Sequence, residues 1–81
     1  MSPEQIRETI LTLTTHRGQG KTICPSEVAR KLCPNDWRPL MQIVRDLADE
    51  LRLQGKLRIT QKGVEVDPKN ARGAIRLGLP D

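Results

Sequence analysis

The chain predicts a mainly helical fold with one small β-hairpin, a winged helix-turn-helix of three helices and a two- or three-stranded wing sheet. Two observations carry it. A helix of about five turns, LMQIVRDLADELRLQG, runs straight into a short alternating hairpin, LRIT-QKG-VEV, and two shorter capped segments precede that helix. At 81 residues the chain holds one domain, and a domain of this size buries only roughly 60% of the surface its unfolded chain exposes. With one Trp and neither Phe nor Tyr, the core must be built from Ile, Leu and Val. The winged helix-turn-helix domain is expected over 1–68, with 69–81 as an extended tail packed on it.

The first helix is expected from Pro3 to His16. Ser2 and Gln5 form a capping box, Pro3 suits the first helical position, and Ile6, Ile10 and Leu13 recur at helical spacing. Gly18 and Gly20 then allow the chain to reverse. Thr22, Ile23 and Cys24 read as a very short strand before Pro25. Ser26 is the expected cap of a second helix, SEVARKL, with Val28, Ala29 and Leu32 inward.

Pro34, Asn35 and Asp36 break that helix, and Asp36 is the expected cap of the third. Along it, Leu40, Ile43, Val44, Leu47, Ala48 and Leu51 form the core stripe, while Arg38, Gln42, Arg45, Asp49 and Arg52 line another side. Gly55 ends the helix. Leu57 and Ile59 alternate with Arg58 and Thr60, and Val64 and Val66 flank Glu65 across a Gln61-Lys62-Gly63 turn, a hairpin with one buried face. In the tail, Ile75, Leu77 and Leu79 at period two indicate an extended segment laid over the body.

Charge distribution points to a partner. Residues 56–81 carry six basic against three acidic groups, whereas 37–55 carry three of each. Arg38, Gln42 and Arg45 on the third helix are of types that read guanine, adenine and phosphate, and Arg58 and Lys62 on the wing are of types that hold phosphates. Arg17, Lys21 and Arg30 add candidate backbone contacts. Double-stranded DNA is therefore the expected partner, and transcriptional regulation the setting such a domain suits. The opposing observation is Asp46, Asp49 and Glu50 on the same helix, with the ordinary alternative of a solvated face paired as Arg45–Asp49 and Asp49–Arg52. A protein-interaction module of the same fold, without nucleic-acid activity, is the second reading.

Other chemistries fit less well. Gly20-Lys21-Thr22 resembles the end of a phosphate loop, but Thr15 stands where the leading Gly is needed and Pro25 prevents an immediate helix. Cys24, Cys33 and His16 supply too few ligands at the wrong spacing for zinc, so neither metal nor cofactor is expected. His16 suits the carbonyl end of the first helix, and the carboxylates lack a cleft, so the chain reads as a non-enzyme. No run approaches the ~20 apolar residues of a membrane span, and a cytoplasmic protein with reduced thiols is expected. Trp37 is expected to pack over the turn before the third helix.

At RGQGKTICPSEVARKL, WRPLMQIVRDLADELRLQGKLRITQKGVEVDP and GAIRL, spanning Ile6 to Pro80, the sequence resembles a family of short bacterial proteins catalogued as a domain of unknown function. That resemblance implies a winged-helix-like fold and a bacterial cytoplasmic setting, and assigns no activity or catalytic residue.

Overall fold

The computed structural model describes residues 1–81, and its first helix opens as the capping box requires. In α1 (Pro3–Arg17) the Ser2 hydroxyl accepts from the Gln5 amide at 3.2 Å and the Gln5 side chain accepts from the Ser2 amide at 2.9 Å. After β1 (Thr22–Ile23), α2 (Pro25–Leu32) begins two residues earlier than Ser26 allows. Cys24 is its N-cap. Pro25 occupies the first helical position, where its missing N–H costs nothing, and Glu27 accepts from the Cys24 amide at 2.8 Å.

The third helix also starts differently. Asp36 does not cap it; the chain enters through a 3₁₀ turn, Arg38–Leu40, in which the Leu40 amide donates to the Trp37 carbonyl at 3.0 Å. Pro39 has no amide to offer, which suits this tightened entry. α3 proper runs from Met41 to Leu53. Its buried arc is Val44, Leu47, Ala48 and Leu51, joined by Asp49, while Ile43 is exposed. Asp49, expected on the polar side, is only 4% exposed. Arg52 donates to it through Nε at 2.8 Å, and the Lys69 ammonium approaches to 3.9 Å from the segment after the hairpin.

The hairpin consists of β2 (Arg58–Gln61) and β3 (Val64–Glu65), and the tail supplies β4 (Arg76–Gly78). All four strands join one antiparallel sheet in the order β1-β4-β2-β3. The tail is thus not laid over the domain; its strand lies between the first strand and the wing. Thr22 pairs with Gly78 and Ile23 with Leu77 on one side, and Arg58 with Gly78 and Ile59 with Leu77 on the other. Ile23, Leu77 and Ile59 therefore form one row, each fully buried against the helices. Gly78 admits close packing: an added Cβ would stand 3.0 Å from the Lys21 carbonyl oxygen.

The wing itself is short. Gln61 pairs with Val64, so the turn is Lys62-Gly63 with φ of 51° and 81°, the geometry of a two-residue hairpin loop. Val64, expected inward, is 65% exposed because β3 is a two-residue edge strand reaching past the helices. The thirteen apolar core residues are all aliphatic, and the buried Thr14 hydroxyl is satisfied by the Ile10 carbonyl at 2.9 Å.

Side chains lock the seam between sheet and helices. Arg76 donates to the Thr22 hydroxyl at 2.9 Å, the Thr22 carbonyl at 3.1 Å and the Cys24 sulfur at 2.6 Å. Arg17 donates to the same Thr22 carbonyl at 2.9 Å and pairs with Glu27. Burial alone would raise the Glu27 carboxyl, but the Cys24 amide, the Arg17 guanidinium and the more distant Arg76 charge together hold it below its ordinary value.

Two outcomes are expected from this architecture. Leu77→Ala should cost about 2–5 kcal/mol in urea unfolding, and a chain ending at Ala74 should lose its cooperative transition, because a central strand is missing. A tail merely resting on the surface would leave that transition in place. Glu27→Gln should lower stability at pH 7 by about 1 kcal/mol or less, the pair being partly exposed. Since the folded carboxyl titrates below the unfolded one, its contribution is present above the unfolded value and disappears as pH falls through the folded value. The gap to the parent, followed by unfolding at a series of pH values, should close on acidification.

Candidate nucleic-acid interface

Arg38, Gln42 and Arg45 stand at i, i+4 and i+7 through the 3₁₀ turn into α3, a spacing that sets them on one face. Gln42 donates to Asp46 at 2.9 Å, and Arg45 donates to the Gly73 carbonyl at 3.1 Å. The guanidinium carbons of Arg30 and Arg38 lie 4.4 and 4.6 Å from the centre of the Trp37 ring. Trp37 packs on the edge of the core, as expected, and holds two cations beside it.

The wing tip connects to this face through the segment Arg72–Ala74. Gln61 donates to the Arg72 carbonyl at 2.7 Å and to the Ala74 carbonyl at 3.0 Å, while Gly73 between them accepts from Arg45. Lys62 follows Gln61 directly, at the apex of the hairpin. Arg72, absent from the sequence-based site set, is exposed at this junction. Its basic character was visible in the tail; its return to the flank of α3 was not.

The acidic residues of α3 are largely engaged elsewhere. Arg7 of α1 donates to both oxygens of Glu50 at 3.2 and 3.1 Å. Asp49 faces Arg52 and Lys69, so the Arg45–Asp49 pair considered from spacing does not form. Arg30, Arg38, Arg45 and Lys62 take part in no ion pair. Asp46, bonded to Gln42, is the carboxylate left on the face.

The other three expected contacts are placed apart from α3's leading end. Arg17 is engaged with Glu27 and Thr22. Lys21 and Arg58 sit together on the outer face of the sheet, with Arg58 Nη1 3.6 Å from Asp81. Arg58 and Lys62 are therefore split between the base and the tip of the wing. Gly20-Lys21-Thr22 leads into β1 and not into a helix. Both thiols are free, and no three His, Cys, Asp or Glu side chains converge as metal ligands. No helix is long and apolar enough to cross a membrane.

No curated protein matches the chain. A family model, described as a protein of unknown function, matches residues 3–80. That match takes in all three helices and all four strands, and the chain accordingly belongs to the DUF3253 family.

Proposed function

We propose that this winged-helix protein binds double-stranded DNA, with the leading half of α3 in a major groove and the wing tip on the adjacent backbone. The observation that carries this reading is the connected run Arg30, Arg38, Gln42, Arg45, Arg72 and Lys62, whose cations have no carboxylate partner while Glu50 and Asp49 are held by other residues. Cations left unpaired in this way can release counterions from a phosphate backbone, whereas cations already paired cannot do so as effectively. Arg38 and Gln42 reach base edges, Arg45, Arg72 and Lys62 hold phosphates, and Trp37 fixes the planes of Arg30 and Arg38. Such a module acts by binding and not by catalysis, and a bacterial cytoplasmic regulator of transcription is the role it suits.

One observation favours the second reading, a protein-docking module. Ile43 and Leu53 are exposed large apolar residues on α3, Leu53 at 70%. They stand beside Asp46 on its solvent side.

The backbone of Lys62 bears on the choice. A lysine at φ 51° occupies a conformation better suited to Asn or Gly. Lys62→Asn should therefore raise stability by a few tenths to about 1 kcal/mol while weakening duplex binding, as read by thermal unfolding and by titration. A stabilised variant with undiminished affinity would remove the wing tip from the interface.

Anisotropy of a labelled duplex over a potassium chloride series tests the whole face. Four or so neutralised phosphates predict a log–log slope of about −4. Arg38→Ala and Trp37→Ala should each weaken binding by about 1–3 kcal/mol, and Arg7→Gln, which releases the Glu50 carboxylate on α3, should weaken binding while leaving the slope unaltered. Absence of duplex affinity at low salt would reject the reading in favour of protein docking.

A further inference from the structure

The outer face of the sheet carries a small cationic cavity that α3 does not line. Its volume is about 140 Å³, and its walls include Lys21, Arg58 and Thr60 with the backbone of Gly20, Gly63 and Gly78. Sheet register explains the shape. Thr22, Gly78 and Arg58 are opposite one another on three adjacent strands, so the middle of that row has no side chain, and the Lys21 carbonyl and the Thr22 methyl close over it. Gly20 and Gly63, with φ of 80° and 81°, bring two further stretches of bare backbone to the rim.

Three features of the lining point to an anion. Lys21 is exposed and joins no ion pair, and no carboxylate is among the lining residues. Arg58 has a buried Nε–H without a hydrogen-bond partner, and its nearest carboxylate, Asp81, is 3.6 Å from Nη1 and 80% exposed. Thr60, on the same face of β2 as Arg58, places its side chain among the lining. Two cations and a hydroxyl around a space this small match one tetrahedral oxyanion and exclude a duplex.

We propose that this cavity binds a single phosphate group, free or at the end of a phosphomonoester, with Arg58 and Lys21 as the charged contacts and Thr60 as the hydroxyl contact. The site is independent of the α3 face and stands whether or not that face binds DNA. It also gives Gly20-Lys21-Thr22 a role that needs no phosphate-loop fold.

Amide resonances of the full chain in a proton–nitrogen NMR spectrum test it. Inorganic phosphate and glycerol phosphate are titrated in parallel against chloride at matched ionic strength. Gly20, Thr22, Gly63 and Gly78 should shift and saturate with at least one phosphate probe and not with chloride. Saturation by both probes identifies the free group as sufficient, and saturation by glycerol phosphate alone identifies the monoester. Lys21→Gln and Arg58→Gln should each weaken the response at least tenfold. Lys21 is exposed, so that variant retains the fold, and Arg58→Lys should recover part of the loss. Shifts equal to those with chloride, or a response undiminished in Lys21→Gln, overturn the site.

Discussion

The fold depends on β4 taking its place between β1 and β2. The row Ile23–Leu77–Ile59 is the point at which residues from the beginning, middle and end of the chain meet, and each is fully buried. β1 touches the wing only through β4. Without that strand the sheet would fall into a two-residue fragment and a short hairpin, neither of which is stable alone in water. The helices lean on the same row, so the core of an almost ring-free protein is organised around aliphatic cross-strand contacts.

This constraint also shapes the surfaces. Because β4 must return to the sheet after the wing, the chain from Asp67 to Ala74 has to travel back along α3. Along that route it covers Asp49, offers Lys69 to it, and presents the Gly73 carbonyl to Arg45 and the Arg72 and Ala74 carbonyls to Gln61. The return segment thus neutralises one carboxylate of α3 while joining its cationic side to the wing. Arg7 performs the corresponding service for Glu50 from α1. Electrostatics that look balanced residue by residue become uneven in space, with Arg30, Arg38, Arg45 and Arg72 left without a carboxylate partner. The strand register has a second consequence on the opposite face of the sheet: Gly78 in the middle of the row lets the Lys21 backbone pack close, which sets Lys21 and Arg58 around one small cavity.

Local signals were sufficient for much of the architecture. Ser2, Pro3 and Gln5 fixed the start of α1 through bonds made within one turn, and the Gly55 break and the Gly63 turn were equally local. Where two local signals competed, the stricter one won: Pro25 at the first helical position moved the cap from Ser26 to Cys24, and Pro39 turned the expected Asp36-capped start into a 3₁₀ entry. Of the expected contact residues, Arg38, Gln42 and Arg45 could be placed on one face by periodicity alone, since helix spacing is a local property. Arg30 beside Trp37, Arg72 at the junction and the separation of Arg58 from Lys62 could not, because each depends on contacts between distant segments.

The amino-acid order therefore determined by itself the helices, the wing turn, the family and the identities of the charged groups, all of which follow from interactions spanning a few residues or from the sequence pattern directly. Tertiary structure decided which strand pairs with which, which carboxylates are silenced and which cations remain free. Period-two hydrophobicity at Ile75 and Leu77 is the same for a strand inside a sheet and for a tail lying across it, and only the partners Ile23 and Ile59, distant in the chain, distinguish the two.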